Sequence, residues 1–362
     1  FGITKATVNF FAGSLSDHWG RVRVLQLGWF IAIPIPLILM FAEHWYWILF
    51  ANVLLGISQA MTWSMTVVMK VDIAGEKQRG LAIGLNEFAG YGGVAVIAYI
   101  TGILAIEHGL RPEPFYVGLV LVLIGIILSL FVQDTRQHAY AANKGNGNGN
   151  GKYHNIPPPL PLAEVFKRGT WSDSKLSTAS IAGMVTNLKD GMLWGLLPLF
   201  LLAENMNIAQ IATIVATYPI VWSTAQLIFG PLSDKVGRRS IIVLGMAVQG
   251  MGLLSFVYSE QYVTFVISSA LVGLGTAMVY PTLLAFVSDV AEVSWRASAL
   301  GVYRFWRDLG YAIGAISTGI LADALDIATS ITLVAFLSIL ASITVLVRVR
   351  TPNRELGIRG QI

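Results

Sequence analysis

The 362-residue chain contains no cysteine. Disulfides, thiolate catalysis and cysteine-ligated metals are therefore excluded, and the redox compartment is left open. Charge is scarce as well: Asp, Glu, Lys and Arg make up 12% of residues, about half the share of a soluble domain. The histidines stand at positions 18, 44, 108, 138 and 154, none in a His-x-x-x-His or similar metal-binding spacing. One stretch, Gly145–Lys152, has the outline of a phosphate loop. It carries Asn146 in place of the first glycine and Tyr153 in place of the magnesium-binding Ser or Thr, so no nucleotide motif stands. No secretory signal pattern is present. The sequence reads as no enzyme, with no cofactor and no metal site.

Apolar sequence is abundant. Hydrophobic residues make up 55% of the chain and mean hydropathy is +0.67. Runs of about 20 apolar residues recur, each long enough to cross a ~30 Å hydrocarbon layer. The chain is an all-α polytopic membrane protein on this reading. Expected spans are Val22–Phe41, Trp47–Met69, Leu81–Ile106 and Phe115–Val132, then Leu176–Leu202, Ala209–Phe229, Ile241–Tyr258, Tyr262–Val287, Ala297–Leu321 and Ala328–Val347. Pro34 and Pro36 are expected to kink the first of them. Phe1–Ala12 is apolar but rises only ~18 Å as a helix, so it begins in mid-bilayer, and the chain reads as a fragment.

Between the halves lies one long polar stretch, Asp134–Trp171. Asn143–Gly151 alternates Gly and Asn as a flexible linker does, Pro157–Pro161 reads as polyproline, and Leu162–Lys167 as a short surface helix. The domain reading is an N-terminal bundle at 1–133, a linker at 134–173 and a C-terminal bundle at 174–362.

The halves are copies. Gly13-Ser-Leu-Ser-Asp17-His-Trp-Gly20-Arg21 returns 217 positions later as Gly230-Pro-Leu-Ser-Asp234-Lys-Val-Gly237-Arg238. The same offset carries Gly28 to Gly245, Gly56 to Gly273, Asp72 to Asp289, Arg79 to Arg296, and Gly102-Ile-Leu-Ala to Gly319-Ile-Leu-Ala. A gapless offset over that many positions marks an internal repeat. The second half has six spans, so the first should have six. The intact protein is expected to hold twelve helices, of which this chain has eleven, the first missing and the second truncated.

Orientation follows from the basic residues. With the Gly13–Arg23 loop assigned to the cytoplasm, Lys and Arg outside the spans fall on that side, Arg111 alone excepted. The net charge of +4 is thus explained without nucleic acid. Linker and C-terminus are expected in the cytoplasm of a bacterial cell, with the chain in its inner membrane.

Two six-helix halves, a central linker and the doubled G-x-L-S-D-x-x-G-R loop resemble the major facilitator superfamily. Arg79-Gly-Leu-Ala-Ile-Gly-Leu-Asn-Glu87 and Gly301-Val-Tyr-Arg304-Phe-Trp-Arg307-Asp308 are similar to a bacterial branch of it with no assigned substrate. The resemblance implies a cytoplasmic latch. In the outward-facing state Asp17 would meet the start of the helix near Trp295–Ala297, attracted by its N-terminal partial charge. Arg21 would bind Asp17 or Asp72, and Gly13 and Gly20 would let backbones approach. Gly230, Asp234, Gly237 and Arg238 would repeat the device. Two departures stand out: Asn52 replaces the arginine that many proton-driven members carry four residues before Gly56, and Gly90-Tyr91-Gly92-Gly93 lacks the proline of many drug antiporters.

Charges inside spans are costly and mark pathways or pairs. At 1.5 Å per residue from the cytoplasmic ends, Glu87 and Arg304 lie ~12 Å deep, Lys5 and Asp308 ~18 Å, and Lys189 and Asp190 ~21 Å. This is the level at which transporters of this kind hold substrate. Expected here are a Lys5–Asp308 pair, Arg304 competing for Asp308, Arg307 beside them, and a proton on Glu87. Gly191 and Pro198 suggest an irregular helix, with Trp194 a wall aromatic. The intramembrane charges sum to one surplus positive, which favours an anionic substrate group.

The resulting reading is a monomeric secondary transporter of a small organic molecule, coupled to H+ and working as an exporter. Uptake by symport stays open, as does a non-transporting receptor or scaffold on the same fold.

Overall fold

The computed structural model describes residues 1–75, 78–139 and 158–349, the side chains of residues 98, 99 and 106 excepted. The Asn/Gly run 143–151, the loop-like stretch 145–152, Pro157, and the basic residues Lys77, Lys144, Lys152, Arg350, Arg354 and Arg359 lie outside the described residues. Among those described, regular structure is helical throughout, and the chain is an all-α membrane protein.

Before the linker run α1 (Gly2–Trp19), α2 (Arg21–Ala32), α3 (Pro34–Phe41), α4 (Trp45–Ala74), α5 (Arg79–His108) and α6 (Glu113–Leu130). Pro34 opens α3 at a single-residue break after α2, so the two form one bent span. The short α7 (Leu162–Lys167) covers the segment read as a surface helix and continues into a π-turn, Arg168–Ser172. Then come α8 (Ser174–Ala203), α9 (Ile208–Val236), α10 (Arg238–Val257), α11 (Tyr262–Val290), α12 (Arg296–Ala324) and α13 (Ile327–Arg348).

Eight of these spans are long and apolar enough to cross a bilayer on length and composition. Helices α1, α8 and α12 do not qualify, and they are the ones that carry Lys5, Lys189 with Asp190, and Arg304 with Asp308. Their polar faces are turned inward: Lys189, Arg304, Arg307 and Asp308 are all buried. Outer faces of the apolar helices remain exposed Leu, Ile and Phe, as a lipid-facing surface requires.

Two expectations need correction. The stretches beginning at Gly13 and Gly230 are not loops but the last turns of α1 and α9. The helices run on, through Pro231 in the second, until Gly20 and Gly237, whose φ of 97° and 101° turn the chain in one residue. Helix α8 is also regular through Gly191 and Pro198. Gly191 is needed for packing instead, since a Cβ there would overlap the Tyr311 carbonyl of α12.

The halves meet along two seams, α1 against α12 and α9 against α5. The repeat offset converts α1 into α9 and α5 into α12, so the seams are equivalent. Each closes tightly at one end. A Cβ on Gly13 would overlap the Ala297 carbonyl oxygen, and one on Gly230 the Gly80 carbonyl oxygen.

Candidate functional site: a sealed face and a central cavity

The sealed face is built from carboxylates on helix starts. Asp17 Oδ2 accepts from the backbone N–H of Ser298 at 2.9 Å and its hydroxyl at 2.6 Å, in the first turn of α12. That is one residue beyond the expected Trp295–Ala297. Asp234 accepts the N–H groups of Gly80 and Leu81 at 2.9 and 3.0 Å, in the first turn of α5. Free N–H groups and the helix dipole both favour an anion there.

Arginines tie these contacts to the next helix. Arg21 bonds Asp17 at 2.8 Å and Asp72 at 3.4 Å, all three nearly solvent-free. Thr135 donates to Asp72 at 3.0 Å, and Arg296 lies 3.9 Å from it. In the second half Arg238 bonds Asp234 at 2.6 Å and Asp289 at 2.9 Å, and Arg79 reaches Asp289 at 2.7 Å. Arg79 and Arg296 thus extend each cluster across the seam.

Deeper between the seams lies a cavity of about 260 Å³, with Lys5, Asp190, Trp194 and Asp308 in its wall. Tyr91, Trp222, Tyr280 and Tyr311 supply most of its remaining surface. Trp194 is 47% exposed and packs beside Tyr218.

Asp308 is not paired with Lys5. Its Oδ1 is held by the neighbouring Arg307 at 2.6 Å, and its Oδ2 accepts from Asn9 at 2.7 Å. Depth puts Lys5 and Asp308 at one level but says nothing of the direction each side chain takes. Arg304 does not compete for Asp308 either; its Nη1 donates to Ser64 at 3.3 Å and its Nη2 is buried without a partner among the described residues. Ser64 in turn donates to Asn9 at 2.6 Å, making a chain Arg304–Ser64–Asn9–Asp308–Arg307 across α12, α4 and α1. Lys5 has no carboxylate within 4 Å among the described residues. Its ammonium lies 5.6 Å from the Phe1 ring and 6.0 Å from that of Trp63.

Lys189 is fully paired. It donates to Asp190 at 2.6 Å, Tyr218 at 2.8 Å and Thr276 at 2.9 Å, and the Tyr218 hydroxyl donates to Asp190. Glu87 is buried without a cation within 4 Å among the described residues. Its Oε1 accepts from Trp63 and Asn86, both at 3.0 Å, while Oε2 is buried with no partner among the described residues. Lys70 donates to Asn86 at 2.6 Å rather than to the carboxylate.

The residues that sequence reasoning missed are neutral. Asn9, Ser64, Asn187, Tyr218 and Thr276 carry no charge to flag them. The repeat supplied a usable signal: it aligns Lys5 with Trp222, Tyr91 with Asp308, Trp63 with Tyr280 and Asn9 with Gln226. Both halves send the same positions to the centre.

The model of the Major Facilitator Superfamily matches residues 1–188 and again 179–361. The chain belongs to that superfamily. An uncharacterised MFS-type transporter of Methanocaldococcus jannaschii is 22% identical over 349 residues, covering 96% of this chain and 87% of the relative. A probable 4-methylmuconolactone transporter of Cupriavidus pinatubonensis is 24% identical, covering 88% and 72%. Among solved structures, the human organic anion transporter MFSD10 shares the fold with a TM-score of 0.76 at 14% identity, over 95% of this chain and 82% of that one. This superfamily member is a membrane transporter, not an enzyme, and its doubled match follows the repeat read from residues 13–23 and 230–239.

Proposed function

We propose that the chain is a secondary active transporter that moves a small organic molecule by alternating access. The observation that carries this is the pairing of two equivalent seals, Asp17 on α12 and Asp234 on α5, with a cavity deeper between the same helices. Both seals lie on the side where basic residues gather, so that side is cytoplasmic and the conformation is the outward-facing one. Residues 1–133 and 174–362 act as the two moving bundles and 134–173 as their tether. Gly13, Asp17, Gly20, Arg21 and Asp72, with Gly230, Asp234, Gly237 and Arg238, form the latch. One chain supplies both halves of the cavity, which suits a monomer in a bacterial inner membrane.

Coupling is assigned to H+ through Glu87. Glu87 is a buried carboxylate with no cation within 4 Å among the described residues, and one of its oxygens is unpartnered there. Lys5, Lys189, Asp190, Trp194, Arg304, Arg307 and Asp308 make up the pathway around it. Export driven by proton entry is the leading direction. Symport is the second reading; the four cations and three carboxylates at the centre favour an anionic substrate in either direction.

The test uses purified protein in liposomes with an internal pH dye and an imposed proton gradient. Organic acids, amphipathic cations and sugars are added in turn. Substrate-driven proton flux establishes transport, and its sign separates exchange from symport. Absence of flux with every class contradicts the proposal.

A further inference from the structure

Among the described charged groups at the centre, Lys5 alone lines the cavity without a carboxylate within 4 Å. Asp190 and Asp308 also reach its wall, yet each is 4% exposed and bonded at 2.6 Å to its own cation, Lys189 and Arg307. An incoming organic cation would have to displace those partners; an anion meets a free ammonium. Around Lys5 the wall is aromatic. The Tyr91 and Trp222 rings are 4.3 Å apart, Trp222 and Tyr280 5.2 Å, and Trp63 and Tyr91 5.5 Å. Such faces favour flat, unsaturated bodies, and their spacing suits offset or edge contacts.

We propose that the cavity binds a small organic anion with a planar, unsaturated body, its carboxylate on the Lys5 ammonium and its body against Tyr91, Trp222 and Tyr280. This rests on the transport reading and gives it a substrate class. Trp63 connects the anchor to the coupling site. Its ring faces the Lys5 ammonium at 6.0 Å while its indole N–H donates to Glu87. A carboxylate drawn to Lys5 is therefore one aromatic ring away from the coupling carboxyl. Lys5 is a specificity-determining residue, since it decides the sign of charge the cavity accepts.

The experiment compares three probes of one shape: trans-cinnamate, trans-cinnamamide and cinnamylamine. Binding to purified protein is read by calorimetry, and transport by counterflow in liposomes. Expected is cinnamate binding about tenfold or more tighter than the amide, as a charge-assisted contact implies. Lys5→Gln should erase that preference and Lys5→Arg should keep it, at unchanged melting temperature, because Lys5 leaves no buried partner behind. Tightest binding of the amine, or an anion preference surviving in Lys5→Gln, overturns the proposal. Anion binding as expected without counterflow supports the site and defeats the transport reading instead. Counterflow of the amine alone does the reverse.

Discussion

Asp17 holds the backbone N–H of Ser298 at 2.9 Å, and its repeat partner Asp234 holds that of Leu81 at 3.0 Å. Leu81 and Ser298 are themselves 217 positions apart, so one contact is made twice by one rule. Each carboxylate links a helix of one bundle to the first turn of a helix in the other. Separation of the bundles on this side must break both.

Removal of one contact leaves its arginine behind. In Asp17→Ala, Arg21 keeps Asp72 as its one carboxylate among the described residues, at 3.4 Å, with Ser16 still accepting from it. Stripping one partner from a buried pair costs ~3–5 kcal/mol, and the remaining carboxylate holds this case near ~3. Thermal unfolding of Asp17→Ala and Asp17→Asn in detergent measures it, with a smaller loss expected for Asn, which can still accept from Ser298.

Glycine substitutions should sort by seam. Gly13→Ala and Gly230→Ala drive a methyl into the carbonyls of Ala297 and Gly80, with an overpacking cost of ~1–3 kcal/mol and weakened sealing. Gly92→Ala and Gly93→Ala meet nothing within 4 Å and should leave melting temperature and transport unchanged. Loss in the second pair equal to that in the first would show that seam packing is not the cause.

The central network can be dissected by a double-mutant cycle. Arg307→Ala strands Asp308 and should cost ~3–5 kcal/mol. Adding Asp308→Asn removes the stranded charge, so the double variant should be more stable than Arg307→Ala alone. Additive losses would mean that the two residues do not act as a pair.

Glu87→Gln keeps an oxygen for the Trp63 and Asn86 hydrogen bonds and mimics the protonated carboxyl. It should fold and bind as the wild type does. Substrate flux should become insensitive to an imposed pH gradient, and proton flux should vanish. Retained proton flux would move the coupling site to Asp190 or Asp308.

The architecture was legible because membrane spans and repeats leave linear marks. Apolar runs near 20 residues set the helices and a constant offset set the symmetry, while the helix start that Asp17 would meet came from the resemblance to the superfamily. The central pairing was not legible. Depth along a helix follows from counting residues, but the direction of a side chain depends on helix rotation and on neighbours. Lys5 and Asp308 share a level yet part company, because Arg307 is adjacent on the same helix and Asn9 fills the gap between α1 and α12. Gly13–Arg23 read as a loop because its charge and polarity outweighed the absence of a proline before Gly20.

Access to the cavity tests the account most directly. The chain has no cysteine, so Asn187→Cys places a single thiol beside Asp308. A membrane-impermeant maleimide is applied from either face of oriented membranes, with and without Asp17→Ala and Asp234→Ala together. The account predicts labelling from the sealed face only when both carboxylates are gone. Equal labelling from that face with the seals intact would contradict it.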